Sequence, residues 1–318
     1  MSEDNTTIEL KKGLPPIGDL FNESWKLFQA KWLKLLIFFL IVVGAALGIY
    51  LVFAILVMLT LGAGAFLSSG DAGAISETFS EPSVYIPFGI VGLVFVVIAL
   101  SINLAAQAGM ILLVADEKTD QSAFSYLKKG LPYIIPLLIV GIINFVLMMG
   151  GIFVLVIPGA IIMILLGFSM YVAVLENKKG MEAIRMSASM VSQNFWAIVG
   201  RMLLFLGLNI LVQLIIGQIT ESDVLGPLGF ILIMALSIGV SWFSIAYGYS
   251  LYKHARAAYD PSKQSSITWM WVVAIIGWIF IVLSFGGIMK MAGSQEIRDA
   301  FMEGYNGEID QLPAEESL

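Results

Sequence analysis

The sequence has little of what most enzymes and soluble domains contain. Its 318 residues include no cysteine and one histidine, and only 13% of them are charged. Without cysteine there is no disulfide, no thiol nucleophile and no thiolate metal ligand, and a single histidine cannot form a histidine metal cluster. We therefore expect no metal site and no cofactor. Soluble domains carry roughly 25% charged residues, so the low charge content also argues against a water-soluble fold.

Apolar residues make up 59% of the chain and are gathered into long runs. A water-soluble fold has too little interior to hide that much apolar surface, so we expect a lipid bilayer to surround the chain. The first run, Leu35–Leu61, is too long for the apolar part of a signal peptide. The sequence predicts an all-α, polytopic integral membrane protein with about seven transmembrane helices and interfacial amphipathic helices.

The whole chain, residues 1–318, is predicted to be a single membrane domain. Residues 1–16 are polar and predict a mobile N-terminus, and residues 290–318 form an acidic tail. The predicted spans are approximately residues 35–61, 84–114, 132–149, 152–175, 196–219, 227–252 and 269–289.

The 45 residues of Leu131–Leu175 contain no charged residue. As one helix they would be about 67 Å long, more than twice the thickness of a hydrocarbon core. The chain must therefore turn, and Gly150–Gly151 is the preferred place, with Pro158–Gly159 as the second. The sequence leaves open whether this turn ends a full crossing or a re-entrant hairpin.

Two segments, residues 17–34 and 179–195, have an apolar face at helical spacing and directly precede a span. In the second segment Ile184 belongs to the apolar face, whereas Arg185 and Ser189 lie mostly away from it. Such helices lie in the membrane interface, and we expect Ser189→Asp to be tolerated there. A shift of 163 residues aligns the two segments, which leaves open either an internal repeat or a chance similarity.

Lysine and arginine are confined to alternate loops. The segment up to Lys34 has five of them, and the segments 115–131, 176–195 and 253–268 have three each. The loops between these segments, 62–83, the turn near residue 150 and 220–226, have none. Because basic residues stay on the cytoplasmic side, we expect a cell-membrane protein with a cytoplasmic N-terminus and an external C-terminal tail.

The segment Ile157–Trp196 opens its apolar run with Pro158 and Gly159, reaches Glu176 before a turn, and ends in EAIRMSASMVSQNFW. It resembles the membrane domain attached to some bacterial glycerophosphodiester phosphodiesterases and the stand-alone YciC-like relatives of that domain. The resemblance implies a multi-span helical domain of the bacterial inner membrane whose function is poorly defined. It does not imply phosphodiesterase activity, which belongs to a separate soluble domain.

Four basic residues near span ends indicate an anionic lipid-headgroup site: Arg201, Arg185, Lys178 and Lys179. A guanidinium can donate two hydrogen bonds to one phosphate, and basic clusters on the cytoplasmic side attract anionic lipid. The competing interpretation is that Arg201 snorkels to the interface and the basic residues only position their spans.

Amides and hydroxyls recur at helical spacing inside the spans: Asn103 and Gln107 in span 2, Asn209 and Gln213 in span 5, and Ser237, Ser241 and Ser244 in span 6. They would either line a path for a solute or form hydrogen bonds between helices. We favour hydrogen bonds between helices, because the same faces carry the small residues that helix contacts use.

No Asp or Glu lies within a predicted span, so the chain lacks residues for intramembrane catalysis or proton coupling. We therefore expect a non-enzymatic membrane protein that organises membrane lipid or a membrane protein partner through its cytoplasmic helices, and that does not bind nucleic acid. The alternative is a transporter of a neutral or lipid-like solute, lined by the polar faces of spans 2, 5 and 6.

Because the chain has no cysteine, single introduced cysteines report its topology without background. We expect Ser69→Cys and Ser222→Cys to react with an impermeant thiol reagent added outside the cell. Ser122→Cys and Ser262→Cys should react only after the membrane is permeabilised. Labelling of Ser262→Cys from outside would contradict the seven-span count.

Overall fold

The computed structural model describes residues 14–61, 82–117, 121–221 and 226–292. Within these ranges the protein is all-α, without a strand, and seven helices or helix pairs are long and apolar enough to cross a membrane. The protein is thus a multi-pass helical membrane protein. The predicted mobile N-terminus up to residue 13, residues 62–81 of the loop 62–83, residues 222–225 of the loop 220–226 and the acidic tail from residue 293 lie outside the described residues.

Ten α-helices make up the described chain. They are α1 (Ile17–Leu61), α2 (Pro82–Ala115), α3 (Ala123–Gly130), α4 (Ile134–Val154), α5 (Val156–Leu166), α6 (Ser169–Leu175), α7 (Met181–Gln193), α8 (Phe195–Glu221), α9 (Gly226–Ala257) and α10 (Thr268–Ala292). A 3-10 turn, Leu131–Tyr133, joins α3 to α4.

Helix α1 begins directly after Pro15 and Pro16, because the residue before a proline is disfavoured in helical conformation. The carbonyl of Pro16 accepts the first bond, from the amide of Leu20 at 3.1 Å. The predicted amphipathic segment 17–34 and span 1 are therefore one continuous helix of 45 residues.

The turn in the uncharged stretch lies at Leu155, between the two places expected from the sequence. Gly150–Gly151 and Pro158–Gly159 are inside helices instead, which corrects that prediction. A Cβ on Gly159 would lie 2.7 Å from the amide nitrogen of Ile152, so α5 folds back closely on α4. These glycines permit the close approach of two helices.

The chain divides into two units, of which the first comprises residues 1–143 and 165–265. Its core lies where α1, α2 and α3 meet, and it is filled by Leu35, Phe38, Leu113 and Tyr126, each at most 2% exposed. Such burial contributes about 1.5–3 kcal/mol for a large side chain in water, but in a membrane close packing carries much of the contact energy.

An aromatic cluster joins α1 to α8 and α9 in the same unit. The ring of Tyr247 stacks on Phe205 with centroids 4.2 Å apart, and Phe21 lies 5.1 Å from Tyr247. Aromatic pairs at these distances are worth about 0.5–1.5 kcal/mol beyond their area. The cluster holds the start of α1 against the other two helices.

The predicted span 4 is interrupted between α5 and α6, and the side chain of Ser187 bridges the interruption. Its hydroxyl donates to the carbonyl of Leu165 at 2.8 Å and accepts from the amide of Phe168 at 3.2 Å. A helix interruption within a membrane is tolerated only where the freed backbone groups find partners. Ser187 is fully buried and supplies both partners.

Helix α7 confirms a helix in the predicted segment 179–195, but its surroundings differ from the prediction. Ile184, Ser187 and Ser189 are all fully buried, so the protein covers both the expected apolar face and part of the expected polar face. The expectation that Ser189→Asp is tolerated is therefore wrong, because a carboxylate there would be enclosed by the protein.

The second unit comprises residues 144–164 and 266–318. Within it α10 lies directly against α4: a Cβ on Gly277 would collide with the carbonyl of Gly150. Nearby, the indole N–H of Trp278 donates to the carbonyl of Val146 at 3.0 Å. The absence of a side chain at Gly277 is thus what allows the two backbones to touch.

Gly277→Ala should separate α10 from α4 and destabilise the second unit by about 1–3 kcal/mol, because the added methyl group meets backbone. Gly286→Ala is the matched control, since a Cβ there meets nothing within 4 Å. Thermal unfolding in detergent measures both. Equal melting temperatures for the two variants would contradict the contact.

Candidate functional site

Lys31 of α1 binds the end of α2. Its ammonium group donates to the carbonyls of Leu113 and Val114, both at 2.9 Å, and to that of Asp116. The last carbonyls of a helix have no hydrogen-bond donor within it and carry partial negative charge. The ammonium group of a lysine supplies both the donor and the positive charge. Lys31 is only 6% exposed, and this contact fixes the N-terminal segment beside the polar segment 115–131.

Three ion pairs hold the end of α9, two of them to α1 and one to the end of α6. His254 lies 2.7 Å from one carboxylate oxygen of Glu23 on α1, and Lys253 lies 3.4 Å from the other. Arg256 pairs with Glu176, at the end of α6. The basic segments that the sequence placed on one side of the membrane thus contact one another at one end of the first unit.

The connection between α9 and α10 is held by side chains of α7. The amide group of Gln193 donates to the carbonyls of Asp260, at 2.9 Å, and Lys263, at 2.7 Å, and accepts from the amide of Asp260 at 2.8 Å. The hydroxyl of Ser189 accepts from the amide of Ser265 at 3.1 Å. These bonds fix the connection as a wall beside α7.

A cavity of about 370 Å³ opens between this wall, the start of α7 and the ends of α6 and α9. Five charged side chains line it, together with Tyr259, whose ring lies 5.7 Å from the guanidinium of Arg256. The charged residues are Glu176, Lys178, Glu182, Arg185 and Arg256. Three are cations and two are carboxylates, so the lining carries one net positive charge.

The Glu176–Arg256 pair is the most ordered part of the lining. The Nε of Arg256 donates to Oε1 of Glu176 at 2.6 Å, and the terminal Nη2 of Arg256 donates to Oε2 at 3.4 Å. The hydroxyl of Tyr252 donates to Oε1 at 3.1 Å. The hydrogen bond from Arg256 holds the pKa of Glu176 below its usual value, against the opposing effect of burial. This carboxylate is therefore ionised at neutral pH.

The other charges in the cavity are arranged differently. Lys178 pairs with Glu182 one turn away on the same stretch of chain. Arg185 lies on the exposed face of α7 and pairs with no carboxylate in the part of the chain that the structure describes. The net positive charge of the cavity thus resides on Arg185, with both carboxylates already neutralised by other cations.

The structure divides the four basic residues expected to form one site. Lys178 and Arg185 line the cavity, whereas Lys179 is exposed outside its lining. The guanidinium of Arg201 donates instead to the carbonyl of Ala197 at 2.7 Å, and to carbonyls of Leu14 and Pro15 in the N-terminal segment. Arg201 thus ties α8 to that segment and is not part of the cavity.

Sequence reasoning missed Glu176 and Arg256 as a pair. The two residues are 80 positions apart, and each had a sufficient local explanation, as a helix end and as a topology signal. Tyr252 gave no signal either, because a tyrosine near a span end is typical of a membrane interface. The only hint was that an acidic residue closes an otherwise uncharged stretch.

Five of the seven amides and hydroxyls expected to form polar faces in the spans bond inside their own helices. Ser241, Ser244 and Asn209 each donate to the carbonyl four residues earlier, at 2.7–3.0 Å. Gln107 donates to Asn103 at 2.7 Å on α2, and Gln213 is exposed on α8. The favoured interpretation, hydrogen bonds between helices of the chain, is wrong for these four donors, because each bonds to an acceptor in the preceding turn of its own helix.

Comparison of the chain with protein-family models, with curated proteins and with solved structures finds no match. The resemblance noted over Ile157–Trp196 therefore stays a prediction. The candidate site stands on its own geometry.

Because the pKa of Glu176 is lowered on folding, its pairing stabilises the protein above its ordinary pKa of 4.5. That contribution is lost as the pH falls through the lower, folded-state pKa. We expect Glu176→Gln to be less stable at neutral pH by about 1 kcal/mol, since both side chains of the pair are partly exposed and solvent screens the attraction. Below pH 4.5 the difference from wild type should shrink.

Melting temperatures between neutral pH and pH 3 measure this effect. Glu182→Gln is the control, because its carboxylate pairs at the surface and is 61% exposed. A Glu176→Gln variant that stays equally destabilised at the acid end would show that the carboxylate acts through shape and not through charge.

Proposed function

We propose that the protein is a non-enzymatic membrane protein that binds the phosphate of an anionic lipid headgroup in the cavity between α6, α7 and α9. The observation that carries the proposal is Arg185, a cation that lines the cavity and has no carboxylate partner among the residues that the structure describes. A guanidinium in that position is free to donate two hydrogen bonds to one phosphate.

The position of the cavity favours a lipid over a soluble anion. Glu176 directly follows the apolar span Val156–Leu175, so the lining begins where the hydrocarbon ends. Trp196, at the start of α8, is 82% exposed, as is typical of a tryptophan at the level of the headgroups. A headgroup at this depth would reach Arg185 while its acyl chains stay in the bilayer.

The lysine and arginine distribution assigns this end of the protein to the cytoplasmic side. Anionic lipids give the cytoplasmic leaflet a negative surface potential, which attracts basic residues by about 1 kcal/mol each. The proposal leaves out Arg201 and Lys179, because the first is bonded to backbone carbonyls and the second lies outside the cavity. The polar faces lend no support to a transporter, because their donors bond within their own helices.

The test compares retention of phosphatidylglycerol by wild type and Arg185→Gln in native mass spectra. We expect the variant to lose about fivefold in retention, equivalent to about 1 kcal/mol. Lys263→Gln removes one charge from the neighbouring connection without altering the cavity lining, and it should retain lipid like wild type. Retention by Arg185→Gln equal to that of Lys263→Gln would refute the site.

Inorganic phosphate added at millimolar concentration distinguishes a site for a lipid headgroup phosphate from a site for free phosphate. If the site takes a lipid, free phosphate should leave the retained phosphatidylglycerol unchanged. Displacement of the lipid by phosphate alone would identify a site for a soluble anion.

A further inference from the structure

Helix α2 carries an exposed row of residues at the spacing of a paired helix. Successive members of the row are alternately three and four residues apart. This spacing places them on one side of the helix, where they can pack against a parallel helix in a left-handed pair. All five residues of the row are exposed: Leu93, Val96, Leu100, Asn103 and Gln107.

The two amides of this row lie deep in the membrane. The part of α2 that is long and apolar enough to span a membrane is Gly89–Ala115, and at 1.5 Å per residue Asn103 lies about 21 Å from one end of it and about 18 Å from the other. Gln107 lies about 12 Å from the nearer end. Both side chains are therefore at depths where lipid offers only hydrocarbon.

The amides satisfy each other only in part. Gln107 donates to the carbonyl oxygen of Asn103 at 2.7 Å. The N–H groups of Asn103 and the carbonyl oxygen of Gln107 have no further partner among the residues that the structure describes. Acyl chains provide neither donor nor acceptor, so these groups would remain unsatisfied against lipid.

We propose that this row is the contact between two copies of the protein, with α2 packed against α2 of the second copy. Both copies insert in the same orientation, so the two α2 helices run parallel about a two-fold axis normal to the membrane. Equivalent residues then meet at equal depth. An amide carries both a donor and an acceptor, so Asn103 and Gln107 find their missing partners in the same residues of the second copy.

Cysteine cross-linking in native membranes tests the contact directly, since the chain has no cysteine of its own. Leu100→Cys should form a covalent dimer with itself on mild oxidation. Ile98→Cys is the matched control, because it is 43% exposed against 44% for Leu100 but lies on the opposite face of α2. It should stay monomeric.

The amides are tested by dimer fraction in liposomes at decreasing protein-to-lipid ratio. Replacement of both by leucine, Asn103→Leu with Gln107→Leu, should weaken the dimer by about tenfold, or about 1.4 kcal/mol, the order of two interhelical hydrogen bonds. Gln213→Leu removes an exposed amide from α8 and should leave the dimer unchanged.

The proposal is overturned if Leu100→Cys forms no dimer, if Ile98→Cys forms as much, or if the cross-link joins another protein instead. It is also overturned if the double variant Asn103→Leu with Gln107→Leu has the same dimer fraction in liposomes as Gln213→Leu. The cysteine experiment keeps both amides, so it decides the question even if the double variant fails to fold.

Discussion

The structure depends on one constraint, the need to satisfy backbone groups where helices end or break in a medium that offers no water. Lys31 meets the last carbonyls of α2, and Ser187 bridges the interruption between α5 and α6. Arg201 does the same for the carbonyls of Leu14 and Pro15. In each case a polar side chain from a distant part of the sequence supplies the partner, so these bonds also fix which segments lie together.

The candidate site follows from this arrangement. Gln193 and Ser189 of α7 hold the connection after α9 through its backbone, and that connection forms the wall of the cavity. The carboxylate of Glu176 then fixes Arg256 across the opening. Arg185 has no ion pair or hydrogen bond to any other residue in the described ranges. For this reason we propose Arg185 as the residue that binds the phosphate.

The sequence was sufficient to predict the all-α membrane class and the seven apolar segments, because both follow from the length of the apolar runs. It was insufficient for the turn at Leu155. A glycine pair in an apolar run is compatible with a turn or with a close contact between two helices, and the sequence alone does not distinguish them. In the structure Gly150 lies against Gly277 of the neighbouring helix, so it serves a helix contact. The pairing of Glu176 with Arg256 was equally hidden, since local patterns carry no information on contacts between residues 80 positions apart.

Polar residues in the spans differ in how many bonds they can satisfy alone. A serine hydroxyl has one donor, and the preceding turn accepts it, as Ser241 and Ser244 show. An amide has two donors and an arginine five, so their own helix cannot satisfy them all. Arg201 finds further partners in the carbonyls of Leu14 and Pro15, and only its Nε is left without one among the described residues. Asn103, Gln107 and Arg185 keep unsatisfied groups among the described residues, and these are the positions at which we propose a second copy of the protein and a lipid phosphate as partners.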